Sequence, residues 1–360
     1  MNKHKRDLYS ELYEIIIKQH KIEDISELIN QISDNSHYIK KSFSLNITYH
    51  LQCINRLKIL TQHLTKTEVI SFLKKLHFFD KFNEKQFIQY ASELTVISHF
   101  LEYYPNDFLY EPRLNSIHDK NPECQIKIDN FKFNIEVKCP EYTNQEAVLS
   151  KDGIKIGIYG RHPEKDKILN EMSGIVKEGS LKAEGKEVEV HNQKHLGLNI
   201  LSYLKEAHMK FPENPINNEI NVLFIGSNEK MDEICGLFYG HEGLFTNQSF
   251  TDPNEYNKID IIVLSNLYYS HKNYCEKEYL RPFELNKLYN VYYVNPKRQL
   301  DKKEGIVKFH TLYHNYNAEL IEFAKQYNEP DPTGANEMNK LFIFSLFNEY
   351  YLKPKGIKVT

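Results

Sequence analysis

Residues Asn121 to Pro140 read NPECQIKIDNFKFNIEVKCP. The stretch divides at Asp129-Asn130 into two runs in which apolar and polar residues alternate. Asp and Asn tolerate the positive φ that a two-residue hairpin loop requires, so the spacing predicts an antiparallel hairpin turning at that pair. The register then follows. Ile128 opposes Phe131, Lys127 opposes Lys132, Ile126 opposes Phe133, Gln125 opposes Asn134, Cys124 opposes Ile135, and Glu123 opposes Glu136.

Strand alternation sorts these side chains into two faces. Ile126, Ile128, Phe131, Phe133, Ile135 and Val137 make one face apolar; Glu123, Gln125, Lys132, Asn134, Glu136 and Lys138 make the other polar. Glu123 and Glu136 then meet across the hairpin with Cβ atoms about 5 Å apart, where like charges destabilise a strand pair. Such a pair calls for a compensating cation. One choice is a divalent ion, which carboxylate oxygens suit; the other is a nearby ammonium, such as that of Lys138, one pleat further along. Both together make a hydrolytic site, because a hard ion activates water and neutralises phosphate charge. The plainer alternative is a group of solvated charges on an exposed sheet face.

Pro122-Glu123, the hairpin and Glu136-Val137-Lys138 resemble the PD-(D/E)XK nuclease superfamily, with Glu123 standing where Asp is usual. The resemblance spans residues 83 to 266, and its specific part is the hairpin. It implies an α/β fold, a restriction-endonuclease-like mixed β-sheet flanked by helices, with an N-terminal helical region. It also implies a Mg²⁺ (or Mn²⁺) cofactor held by Glu93, Glu123 and Glu136. Lys138 would orient or help deprotonate the attacking water and steady charge on the phosphate. Glu93 enters as the acidic residue such proteins carry on the helix before the core strands. Glu102 is the second match, and an exposed Glu93 at the border of its helix remains open. Gln193 and Lys194 enter as the Gln or Lys that the helix after the hairpin often brings to the substrate. The implied activity is phosphodiester hydrolysis, in DNA rather than RNA, with bacterial restriction or phage defence as the role by analogy. A non-catalytic nucleic-acid- or protein-binding module on the same fold is the alternative, and the intact Glu/Glu/Lys set argues against it. A structural partner protein working through the N-terminal helices is a third reading.

The flanks divide into residues 1–82, a nuclease-like core at 83–300 with an insertion at 141–190, and C-terminal helices at 301–360. Leu8, Leu12, Ile15 and Ile16 give one helical stripe in the first region, and Leu51, Ile54, Leu57 and Leu60 another. This region is either a cap packed on the core or a surface for a homodimer, a partner protein or nucleic acid. Asn83 with Gln86 signals a capping box, followed by a helix whose stripe is Phe87, Tyr90, Ala91, Leu94, Ile97 and Leu101. Phe108 to Arg113 reads as the first strand, with Pro112 marking its end or an edge position. The glycine-dotted insertion reads as a long polar loop; its Arg161, His162, Lys165 and Lys167 are within reach of a phosphate backbone or merely solvated. A helix follows at Gln193 to Phe211. Asn221 to Gly226 and Asp260 to Ser265 are apolar runs suited to buried parallel or mixed-sheet positions, with Met231 to Tyr239 between them expected as a crossover helix. Val291 to Val294 is a further strand, and Ala318 to Tyr327 and Asn336 to Tyr351 are closing helices.

Composition excludes several classes. With 41% hydrophobic and 26% charged residues the chain has the balance of a globular protein. Its longest apolar run, Leu341 to Phe347, falls short of the ~20 residues of a membrane span. Met1 to Tyr9 lacks the apolar core of a signal peptide, so a cytoplasmic location is expected. The five cysteines are scattered without a CxxC, which predicts reduced thiols. A net charge of −3 gives no global attraction to nucleic acid, so such a partner needs a local basic patch. Neither GxxxxGK[ST] nor GxSxG occurs. His191/His195 and His310/His314 have the spacing of helical zinc ligands but lack the HExxH glutamate. Tyr268, Tyr269, Tyr274 and Tyr279 suit either base stacking or packing.

Overall fold

The computed structural model describes residues 3–18, 29–32, 34–45, 47–115, 120–140, 148, 150–157, 161–192, 196–228, 237–238, 243–275, 280–328, 343 and 345–355. Its strands are β1 (Phe108–Tyr110), β2 (Cys124–Ile128), β3 (Phe131–Lys138), β4 (Ile154–Ile156), β5 (Val190–Asn192), β6 (Glu219–Gly226), β7 (Ile261–Ser265) and β8 (Asn290–Val294). Its helices are α1 (Lys3–Ile17), α2 (Tyr38–Leu45), α3 (Ile47–His63), α4 (Lys66–Lys75), α5 (Glu84–Tyr103), α6 (Lys165–Glu184), α7 (Leu196–Lys210), α8 (Leu267–Lys272), α9 (Lys303–His310) and α10 (Asn317–Lys325). The fold is α/β. A mixed six-stranded sheet in the order β1-β2-β3-β6-β7-β8 is flanked by helices, and among the described residues no helix is long and apolar enough to cross a membrane.

The β2–β3 hairpin turns at Asp129-Asn130 and pairs Cys124 with Ile135, Gln125 with Asn134, Ile126 with Phe133, Lys127 with Lys132 and Ile128 with Phe131. That is the register the alternation dictates. Of the two turn residues, Asp129 takes the positive φ, +54°. β1 adds antiparallel to β2, while β6 runs parallel to β3 and β7 parallel to β6. A parallel connection needs a crossover, and α7 lies in the segment between β3 and β6. β6 and β7 are buried at every residue, as their unbroken apolar runs require. α9 approaches β6 closely at Gly305, where a Cβ would meet Ile220 Cδ1 at 2.5 Å.

Helical stripes hold where a helix packs along its length. Phe87, Ala91, Leu94, Ile97 and Leu101 of α5 are buried, as are Ile200, Leu204 and Ala207 of α7. Asn83 Oδ1 accepts from the Gln86 backbone N–H at 3.1 Å, but the Gln86 side chain turns to His77 instead of closing the box. On α3 the stripe is displaced: Leu51 is exposed, while Tyr49, Cys53, Leu57 and Leu60 are buried. The reason is tertiary, because Tyr49 stacks on Tyr274 with ring centroids 4.0 Å apart and that contact sets which side of α3 faces inward. The insertion is more ordered than its composition predicts. It holds the twenty-residue α6, on which only Leu169 is buried, and a small parallel β4–β5 sheet. Leu169, Met172 and Val176 do recur at helical spacing there, but Gly174 and Gly179 interrupt the segment and gave it the look of a loop. Residues 141–147 of the insertion, most of the expected helix at Met231 to Tyr239 and the first part of the one expected at Asn336 to Tyr351 lie outside the described residues.

The helices of residues 1–82 pack on the rest. One hydrophobic cluster runs from Leu8 and Tyr9 of α1 through α5 and the sheet to Phe347 and Leu352. His37 lies within 5.4 Å of the rings of Phe78, Phe82 and Phe87, and Tyr49 also hydrogen-bonds His271 at 3.1 Å. Tyr268, Tyr269 and Tyr274 are core residues; Tyr279 lies outside the described residues. Cys53, Cys124, Cys139 and Cys275 are in no disulfide.

Candidate functional site

The polar face of the hairpin is buried from Gln125 and Asn134 to Glu123 and Glu136, while Lys127 near the turn is exposed. Glu123 is 8% exposed and Glu136 0%, which overturns the picture of solvated charges on an open sheet face. Further down the same face Gln125 donates to Asn134, and Asn134 donates to Asn221 and Glu219, at 2.6, 2.7 and 3.1 Å. The network satisfies these amides. Glu123 and Glu136 stand at its far end, opposite each other when the hairpin register is continued by one residue.

The repulsion between them is met by an ammonium from outside the hairpin. Lys210 Nζ lies 2.6 Å from Glu136 Oε1 and 3.4 Å from Glu123 Oε1. Lys138 Nζ lies 3.3 Å from Glu136 Oε1 and 3.1 Å from Glu206 Oε2. Glu206 and Lys210 are four apart on α7 and so project from one side of it. Even so, neither Glu136 oxygen has a hydrogen-bond donor aligned on it. Burial, and then the Glu123 charge, push the Glu136 carboxyl up to about 7 against the pull of Lys210 and Lys138. Burial also works against charge on Lys138 and Lys210, but Glu136 and its neighbours outweigh it and raise both. Lys138 is therefore held as an ammonium, a donor that can orient water or a phosphate oxygen.

Glu93 approaches from α5, where it is 4% exposed rather than at an exposed border. Gln89, one turn earlier, donates to Glu93 Oε1 at 2.7 Å and to the Val137 carbonyl at 3.2 Å, and accepts from the Cys139 backbone N–H at 2.6 Å. It thereby ties α5 to the end of β3. Glu93 Oε2 has no partner. Burial and then the Glu123 charge raise the Glu93 pKa well above the usual carboxylate range. Glu102, the second match, is exposed and paired with Arg56. From α4, Lys75 sits 3.0 Å from Glu111 Oε1 and 5.4 Å from the Tyr90 ring centroid, and the charges of Glu93 and Glu123 help keep it protonated.

The fold thus assembles Glu93, Glu123, Glu136 and Lys138, and adds Lys210, Glu206, Gln89 and Lys75, which pattern reading missed. A signal was there for three of them: Glu206 and Lys210 border the buried stripe of α7 four apart, and Gln89 stands four before Glu93. The helix after the hairpin does bring a lysine, but from its last turn. Gln193 and Lys194, ahead of its start, lie outside the described residues. Arg161 is buried and donates to the Ser249 carbonyl at 3.0 Å, which takes it from the phosphate-binding candidates. His310 bonds Tyr292 at 2.9 Å and His191 bonds the Asp152 carbonyl at 2.7 Å; His195 lies outside the described residues. Among the described residues no group of three or more His, Cys, Asp or Glu side chains stands ready to hold a metal ion. Compared with known family models, curated proteins and solved structures, the chain matches none.

Proposed function

We propose that this chain is a metal-dependent nuclease on a restriction-endonuclease-like fold, hydrolysing phosphodiester bonds in DNA, with bacterial restriction or phage defence as its setting. The observation that carries the reading is the buried set at one end of β3. Glu123 and Glu136 face each other, Glu93 arrives from the preceding helix, and Lys138 follows on the same strand face. Three buried carboxylates with unmet oxygens on Glu93 and Glu136 are costly to keep in a fold that does not use them.

The donors suit Mg²⁺ or Mn²⁺, which take carboxylate oxygens; Glu93, Glu123 and Glu136 would hold the ion. Such an ion supplies a Lewis acid that lowers the pKa of water and neutralises phosphate charge. The chain's own groups do the rest. Gln89 fixes Glu93, Glu206 holds Lys138, and the Lys138 ammonium donates to the water or to a non-bridging phosphate oxygen, where it steadies developing charge. The test is cleavage of plasmid, linear duplex, single-stranded DNA and RNA by the full chain, with Mg²⁺, Mn²⁺ or chelator. We expect metal-dependent cleavage of DNA that Glu136→Gln abolishes. Wild-type rates in that variant would sink the assignment.

One observation favours the other reading, a non-catalytic binding module. The Lys210 ammonium already bridges the two hairpin carboxylates, so their mutual repulsion is offset without an ion. A folded protein that binds nucleic acid but takes up no Mn²⁺ in calorimetry would decide for it.

A further inference from the structure

We infer that Lys210 occupies the cation position between Glu123 and Glu136, and that a divalent ion enters this site by displacing its ammonium. The inference rests on the metal-dependent reading above and specifies where the ion goes and what it competes with. The two lysines at the site differ in what would hold them once an ion arrives. Lys138 has a second acid, Glu206 Oε2 at 3.1 Å, and keeps it. The ion contacts of Lys210 among the described residues are Glu136 and Glu123, at 2.6 and 3.4 Å, the two groups an ion would take. Entry of the ion removes both at once.

Lys210 can leave without rearranging the fold. It is the last residue of α7, its side chain is already 13% exposed, and a lysine stem carries its ammonium to water by rotamer change alone. Glu136 cannot move in the same way, being fully buried in the middle of the sheet between β2 and β6. The exchange also accounts for the lack of a ready cage. The carboxylates are neighbours, but an ammonium is seated where they would converge. Since metal binds only the lysine-out form, the apparent affinity of the intact chain is reduced by the fraction of time Lys210 spends outside.

The experiment is Mn²⁺ titration by calorimetry of the full-length wild type, Lys210→Gln, Lys210→Met and Lys138→Gln, each first checked by thermal melting, with a Mn²⁺-bound wild-type crystal structure alongside. We expect Lys210→Gln and Lys210→Met to bind Mn²⁺ about tenfold or more tightly than wild type, as a lysine-out fraction of a tenth or less requires. Lys138→Gln should show no comparable gain. In the wild-type complex the Lys210 ammonium should have left Glu136. Wild-type binding with no gain in either Lys210 variant, or an ion bound with Lys210 still bridging, overturns the inference and leaves the metal reading standing. Folded variants that take up no Mn²⁺ at all, together with a metal-free wild type, overturn both. The crystal arm decides the point even if a Lys210 variant does not fold.

Discussion

Burial acts on Glu136 before any neighbour does. With its carboxyl pushed up to about 7 by burial and by Glu123, the folded chain binds this proton more tightly than the unfolded chain. Stability from this group is therefore greatest below the unfolded pKa, declines as pH rises through the window from the ordinary glutamate value to about 7, and is level above it. Glu136→Gln mimics the protonated form. We expect it to stabilise the metal-free protein by ~1–3 kcal/mol at about pH 8 and by much less near pH 5. Urea melts at the two pH values measure this, and an equal effect at both would show that charge is not the cause. Lys138 sits at the same carboxylate with a different task. Lys138→Ala should lower kcat by about 10²–10³, the loss typical of removing a donor that stabilises developing charge, with little change in Mg²⁺ affinity. Collapse of that affinity would instead make Lys138 a support for the metal ligands.

At the scale of the element, the hairpin is what local sequence controls most firmly. A slip of one residue would turn Glu136 to the apolar face and at the same time bring Phe131, Phe133 and Ile135 out of it. The turn adds its own constraint through Asp129, at φ +54°. A β-branched residue is strained there, so Asp129→Val should cost ~1–2 kcal/mol while Asp129→Gly stays near neutral. Chemical denaturation checks the pair. Loss of stability in the glycine variant equal to that in the valine variant would place the cost in the exposed Lys308 ion pair, which by itself is worth little. α7 was legible as a helix. Its contribution to the site was not, because Lys210 is one of many lysines in the chain and its importance comes from a carboxylate pair far away in sequence.

For the whole molecule, the region 1–82 shares its core with the sheet. Tyr49 is fully buried, stacks on Tyr274 at 4.0 Å and packs on Phe283 at 5.0 Å. We expect Tyr49→Ala to cost ~3–5 kcal/mol, as for large aromatic deletions in a core, within a single cooperative transition seen alike by far- and near-UV circular dichroism. Separate melting of helices and sheet would show that the N-terminal region is a domain of its own. The same packing bears on the site, since Lys75 reaches Glu111 from α4.

The sequence by itself determined the hairpin, its register and the facing of Glu123 with Glu136, because strand alternation and turn chemistry are local rules. It also determined that β6 and β7 are buried strands and that α5 and α7 are helices, through apolar period and length. Only the tertiary structure decided that Glu123 and Glu136 are buried and that Glu93 stands inside the cluster. It alone decided that the cation between the two glutamates is Lys210 and that α3 turns Tyr49 rather than Leu51 inward. Those outcomes depend on which surfaces meet. Burial and charge compensation are properties of groups brought together from distant parts of the chain, and no periodicity within one segment encodes them.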